Sequence, residues 1–425
     1  MTAATEQTTG LAPLRNRDFR LLFIGFAIGQ MLMPLQFFTQ IFWVQQNAPE
    51  DVWLLLVSLI GASRGIGALT FGLYGGALAD RMDRRKLLLV TQVLLLLTTL
   101  AIAVLIFFSD GSALAFVLFF SMTFLASGLQ SVDAPTRLAL VPDILGPRLT
   151  PAGMSLNQAA GQLSMPVALF ASGLIIDALG FGGAYLLSSV GHVIVIIAIA
   201  RMSYRSNFDD RVDHRGAYGF RQSIRDVRYG LSYARSHPVI LWIIILLATM
   251  MGFGFPATAN LGPTWITTVV GVEIKYVGFV AMTWGIGAFL AAAVLARFSS
   301  FERRGALIAF GTTLFSLSFV VFVIDHSVVN AVIGNFGLGA GMTIAMLSST
   351  ILIQHIVPND VRGRLMSILQ LNMGFAQLMT LPVAALGQWL SLQVLFPGMA
   401  VTALAIIVLI LVTHPQIVRA GISNS

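Results

Sequence analysis

The sequence predicts an all-α integral membrane protein, with twelve transmembrane helices in two pseudo-symmetric six-helix bundles. Three observations lead there. The chain of 425 residues is 57% hydrophobic and only 10% charged, with a mean hydropathy of +0.86, whereas soluble domains carry roughly 25% charged residues. Its apolar residues fall into runs long enough, at about 20 residues, to cross hydrocarbon as helices. Barrel strands would instead alternate over about ten residues. Finally, Val141-Pro-Asp…Arg148-Leu returns 216 residues later as Val357-Pro-Asn…Arg364-Leu.

The runs are 19–46, 52–79, 87–108, 112–136, 150–178, 181–202, 238–266, 275–298, 304–324, 327–353, 363–389 and 392–413. The first fourteen residues hold no base and no apolar core, so no cleavable signal peptide is expected. Connections are short except Ser203 to His237. That segment divides the chain into a first bundle (1–203), a linker (204–237) and a second bundle (238–425). Within the linker, Phe220, Ile224, Val227 and Leu231 stand at helical spacing, with Arg221, Arg225 and Arg228 elsewhere around the helix. Such a helix suits the surface of an anionic leaflet or a protein partner.

The bases are placed asymmetrically. Of 25, 23 flank one set of connections: Arg15, Arg17 and Arg20, the turn 81–86, Arg137 and Arg148, eight arginines from Arg201 to Arg235, then Arg297, Arg303, Arg304, Arg362, Arg364 and Arg419. Only Lys275 falls on the other side, among Glu50, Asp51, Asp110, Asp177, Glu273 and Asp325. The positive-inside rule then puts both termini in the cytoplasm of a multi-pass protein of the cytoplasmic (inner) membrane. The basic pI of 10.2 therefore reflects topology, and no nucleic-acid partner is expected. Parallel halves of this kind hold a substrate site near the midplane between them.

Ionisable residues inside the membrane are functional candidates. Arg64 lies midway down the second run and His192 midway down the sixth; Asp133 lies near the arginine-rich end of the fourth. Arg64 is either bonded to backbone and amide groups at a helix interface or a cavity cation for an anionic group. His192 is either a packing histidine or a proton relay, since its ordinary pKa is near neutral. Gln36, Gln162 and Gln377 fall near mid-membrane, with Gln30, Gln40, Gln158 and Gln370 at related spacings. Each is either glue between helices or, with Phe37 and Phe38, the wall of an amphipathic cavity. Gly25/Gly29 and Gly61/Gly65 read as close-packing surfaces. The run Gly337–Gly341 is either a flexible point in the tenth helix or a packing surface. There are no cysteines, no Walker loop and no His-Glu-x-x-His, so no cofactor, metal, ATP-driven step or enzymatic activity is expected.

One short turn concentrates charge: Gly76-Ala-Leu-Ala-Asp80-Arg81-Met-Asp-Arg84-Arg85-Lys86. A carboxylate at Asp80, just inside a helix end, needs a cation or a helix N-terminus as partner. The stretch resembles the loop 2–3 signature of the major facilitator superfamily, matching at Gly76, Leu78, Ala79, Asp80, Arg81, Arg84 and Arg85 and departing at Asp83, where the general pattern has glycine. Val132-Asp-Ala-Pro-Thr-Arg137 and Val361-Arg362-Gly-Arg364-Leu-Met366 resemble its drug- and siderophore-exporter subfamily. The resemblance implies the major facilitator fold. It also implies a gate in which Asp80 holds the start of helix 11, and a charge relay through Arg81, Asp133, Arg137 and neighbouring bases. The antiporter motif of helix 5 is kept only at Pro166, without its glycines.

The expected function is secondary active transport by alternating access. The chain would act as a monomer that exports a drug- or siderophore-like amphipathic molecule, with protons as coupling ion and His192 or Asp133 as proton relay. A lipid or lysophospholipid transporter or flippase is the alternative, and a non-transporting membrane receptor a further one.

Overall fold

The computed structural model describes residues 10–109, 111–204, 220–298 and 301–421, with side chains at all of these except 73–81, 220–224, 226–227, 359–360, 367, 370–371 and 373. The protein is all-helical. We number its spanning helices α1 (Arg17–Asn47), α2 (Trp53–Arg81), α3 (Arg84–Phe108), then a helical stretch Ala113–Ala200 that holds α4 (113–145), α5 (147–179) and α6 (181–200). After the linker helix Phe220–Ser236 come α7 (Pro238–Thr249, extended below), α8 (Ile274–Arg297), α9 (Arg304–Val323), α10 (Val328–Ile356), α11 (Asn359–Leu390) and α12 (Leu392–Thr413).

Nine stretches among the described residues are long and apolar enough to cross a membrane, and the one from Ala113 to Ala200 is three spans end to end. With α11, the spans match the twelve runs of the sequence.

The caps explain several boundaries. Asn16 accepts from the amides of Asp18 and Phe19 at 2.9 and 3.1 Å to start α1. Asp83 accepts from Arg85 N (2.9 Å) and Lys86 N (3.1 Å) to start α3. A side-chain acceptor there satisfies orphan amides that glycine could not, which is a local reason for an acid in place of the general glycine. At Gly146 and Gly180, φ is +68°. With ψ at 172° and 177°, this is an extended, positive-φ conformation that costs a residue with a Cβ about 1–3 kcal/mol, so glycine is what lets the chain turn there.

Two boundaries differ from expectation. α4 runs nine residues beyond 136, through Pro142, because Leu140, Val141 and Leu145 bury themselves against Phe19, Leu22 and Leu88. Burying a large apolar side chain yields about 1.5–3 kcal/mol, so three together outweigh the roughly 3 kcal/mol cost of an internal proline. In contrast, the run 238–266 is not one regular helix. α7 widens after Thr249 into two π-helical turns, Met250–Gly254 and Pro256–Asn260, and resumes at Gly262–Thr268. Pro256 cannot donate, and the Leu261 amide reaches back five residues to Pro256 O at 2.9 Å.

α1, α2 and α3 pack on the α4–α6 stretch, while α8 and α9 pack on α10 and α12 on α9. The principal contacts between the two sets pair α5 with α8 and α2 with α11. The α5–α8 seam is backbone-close: a Cβ on Gly278 would lie 2.5 Å from both the Leu169 and Phe170 carbonyl oxygens, and one on Gly173 2.7 Å from Ile274 O. Gly387 meets Leu54 on the α2–α11 seam, and Gln45 Nε2 donates to Thr267 Oγ1 across α1 and α7 at 3.1 Å. All these contacts lie toward the side opposite the arginine-rich turns. Nearer those turns Leu138, Met154, Gln158, Gln354 and His355 are exposed.

The glycine run of α10 forms a close-packing surface. The helix is continuous, and Gly339 seats the Trp284 carbonyl, Gly337 Ser318, and Gly341 Phe315. Gly25 packs against Arg137 and Val195, whereas Gly29 meets nothing within 4 Å.

Candidate functional site

A buried polar chain threads the first bundle. Asp133 on α4 receives Arg137 Nη2 at 2.9 Å and Nε at 3.3 Å on one oxygen. Its other oxygen receives Gln92 Nε2 at 2.8 Å and Thr91 Oγ1 at 3.1 Å, both from α3. Gln92 Oε1 lies 3.1 Å from His192 Nδ1 on α6, and His192 Nε2 lies 3.5 Å from Gln36 Nε2 on α1. All of these residues are buried. An unpaired carboxylate would be costly at this depth, and its donors, one of them a guanidinium, are what permit it. His192 is therefore a linked member of a four-helix network. Gln36, expected on the cavity wall, turns into the bundle instead, because His192 offers it a polar partner that the surrounding apolar side chains do not.

Arg64 is half-buried on α2. Its Cζ sits 4.9 Å from the centroid of the Phe37 ring, and its backbone carbonyl accepts from Ser127 on α4 at 2.6 Å. Tyr185 of α6 and Gln40 of α1 are buried polar neighbours in the same part of the bundle. Neither the hydroxyl nor Gln40 Oε1 makes a well-formed hydrogen bond, while Gln40 Nε2 donates to Thr123 at 3.2 Å. Among the described residues no carboxylate pairs with Arg64; a ring face is its recorded cation partner. Cation–π contacts contribute about 0.5–2 kcal/mol and leave the charge in place.

The second polar cluster crosses the halves. Asn260, in the second π turn of α7, donates to Thr380 Oγ1 at 2.6 Å and Gln377 Oε1 at 3.1 Å on α11. Gly61 and Gly65 of α2 lie against the same amides, where a Cβ would come within 3.2 and 3.1 Å. Gln377 is thus brought to α2, one turn from Arg64. On α5, Gln158 is exposed and Gln162 half-buried. The sequence reading missed Gln92, Tyr185 and Asn260. A polar pair, Thr91-Gln92, inside an otherwise aliphatic run was the available signal for the first, and Gly-Phe-Pro before Asn260 for the third.

In the charged turn, the side chains of Gly76, Asp80 and Arg81 lie outside the described residues. Arg84 donates to Asp143 Oδ2 (2.9 Å) and Ala139 O (3.0 Å), tying α3 to α4. Arg85 donates to Ala200 O at 2.7 Å and Ile199 O at 3.2 Å, capping the end of α6. Both arginines therefore staple helices within the first bundle, where free carbonyls and an acid stand within reach. Arg362 donates to Val357 O at 3.2 Å. Arg364 lies over Tyr229 of the linker helix at 4.5 Å, and Gly230 seats Ile368, so the linker helix packs on α11. Of its expected apolar stripe Leu231 is exposed, and Phe220, Ile224 and Val227 lie outside the described side chains. Among the described residues no cluster of three metal-ligating side chains occurs.

The profile of the Major Facilitator Superfamily matches residues 21–380. A protein of Staphylococcus aureus (strain NCTC 8325 / PS 47) named "Staphyloferrin A transporter" is 20% identical over 358 residues, 84% of this chain and 85% of that one. Among solved structures, a POT family transporter in complex with 5-aminolevulinic acid superposes with a TM-score of 0.72 at 13% identity, covering 95% of this chain and 97% of that one. The nucleoside transporter NupG does so with a TM-score of 0.67 at 11% identity, covering 95% and 98%. At these identities the structural likeness establishes the fold.

Proposed function

The chain belongs to the Major Facilitator Superfamily, and from that premise we propose that it is a proton-coupled secondary transporter exporting an amphipathic, drug- or siderophore-like molecule. In this reading the arginine-rich side is cytoplasmic, both termini and the linker lie there, and the membrane is the cytoplasmic one. Residues 1–203 and 238–425 act as the two rocking bundles, joined by 204–237, in a monomer. The carrying observation is the extent of the seam. The α5–α8 and α2–α11 contacts run from the outer face to about mid-membrane, which supports a carrier closed outward and open inward.

The substrate would meet Arg64 and Phe37 on one wall and Gln377, Gln162 and Gln158 around it. An uncompensated guanidinium beside an aromatic ring suits an amphiphile with an anionic group. Asp80, Arg81, Arg362 and the start of α11 would form the inner gate, with Asp133, Arg137 and His192 behind it. A lipid or lysophospholipid carrier is the second reading, favoured by the same Arg64, which would serve a phosphate headgroup.

The test uses inverted vesicles with an imposed proton gradient and three probes: a lipophilic cationic dye, a carboxylate siderophore and a fluorescent lysophospholipid. Gradient-driven accumulation of the siderophore, lost in Arg64→Ala and partly kept in Arg64→Lys, is expected. Preference for the lysophospholipid selects the second reading. No gradient-driven movement of any probe overturns the first.

A further inference from the structure

The buried chain from Gln36 to Asp133 has a direction, and we propose that it is a proton-operated switch in which the charge of Asp133 sets the tautomer of His192 and the orientation of Gln36. The idea rests on reading the chain as a proton-coupled transporter and names the group that takes the proton.

The direction follows from donor and acceptor counting. An ionised carboxylate only accepts, so Gln92 must turn its NH2 to Asp133, 2.8 Å away. Its Oε1 then faces His192 Nδ1 at 3.1 Å, and that nitrogen must carry the hydrogen. In the neutral ring Nε2 is left with its lone pair toward Gln36 Nε2 at 3.5 Å, which donates. Every member from α1 to α4 is thereby committed by one charge.

Protonation reverses it. Asp133 takes a proton from water on the arginine-rich side, an O–H bond forms, and the carboxyl becomes a donor. Gln92 rotates to offer Oε1 and presents NH2 to His192. Nδ1 gives its hydrogen to water and Nε2 takes one, so the ring stays neutral and one proton is bound overall. Gln36 rotates to accept. Its chain neighbour Phe37 carries the Arg64 guanidinium, so the switch ends beside the proposed substrate wall.

The groups facing this chain are few. Asp133 meets Arg137 from α4 and the neutral Thr91 and Gln92 from α3, while His192 meets Gln92 and Gln36. From α1, Gly25 abuts Arg137. On α2, the side chains of Asp80 and Arg81 lie outside the described residues.

The experiment is solid-state NMR of the full chain in lipid with 15N-labelled histidine, using His192→Gln to assign the ring among the six histidines. At neutral pH the His192 signals should show Nδ1 protonated and Nε2 bare, the reverse of the preference of free histidine. Acidification that protonates Asp133 should exchange the two signals, and a ring that charges without passing through the exchanged pattern overturns the switch. Asp133→Asn, whose amide donates as the protonated acid would, should show the exchanged pattern at neutral pH. Should that variant not fold, Gln92→Leu serves: the ring should revert to the free preference at all pH values above its own titration. An Nε2–H or charged ring in the wild type at neutral pH overturns the switch. So does a ring in Gln92→Leu that keeps Nδ1–H. No substrate is needed, so gradient-driven transport without signal exchange removes the switch and leaves the proposed function standing.

Discussion

Replacing Gly278 by alanine places a methyl group on α8 2.5 Å from the carbonyl oxygens of Leu169 and Phe170 on α5. Real Cβ atoms do not approach closer than 3.0 Å, so the two helices must separate by at least about 0.5 Å against a close-packed seam. Neither obstacle is a flexible side-chain tip; both are backbone, and the strain cannot be relieved by a rotamer change. Overpacking of this size costs about 1–3 kcal/mol, and the cost falls only on the state that closes this seam. A differential of that size moves a two-state equilibrium about 5–150-fold.

The chain has no native cysteine, so labels can be placed cleanly. One pair, at exposed Leu179 and Val329, reports the outer side; another, at exposed Met154 and His355, reports the arginine-rich side. Pulsed-EPR distances for Gly278→Ala should lengthen at the first pair and shorten at the second. Unchanged distributions in a folded protein would refute the argument that the α5–α8 seam defines the closed state.

Other outcomes follow from named contacts. Arg137→Ala should cost about 3–5 kcal/mol, because it leaves Asp133 buried without its cation; thermal unfolding in detergent checks this, and a neutral result would mean that Asp133 is not ionised in the fold. Asp83→Ala should lose about 0.5–2 kcal/mol with the N-cap of α3, lowering the unfolding temperature while leaving any transport direction intact. Asn260→Leu should strand Gln377 Oε1 and Thr380 and cost about 1–3 kcal/mol, and its spin-label distances should shift because the cluster touches Gly61 across the halves. Gly180→Ala should cost about 1–3 kcal/mol through its positive φ alone, with conformational equilibrium unmoved.

Much of this protein is determined by local chemistry and was readable one residue at a time. Span number follows from apolar run length, because a bilayer imposes helices of a set size. The repeat of Val-Pro-Asp and Val-Pro-Asn announced two similar halves, and Arg64 and His192 stood out because charge and polarity are costly in hydrocarbon. Reading failed where partners are remote in the chain. Gln36 and His192 are 156 residues apart, and His192 and Gln92 100 apart, so whether a glutamine faces a cavity or a histidine depends on how helices rotate against each other. The same holds for Arg84 and Arg85, whose carbonyl partners belong to the ends of α4 and α6. Periodicity assigns a residue to a helix; only packing of twelve helices decides which neighbour fills its hydrogen-bonding capacity, because a buried polar atom takes whatever donor or acceptor the fold brings within about 3 Å.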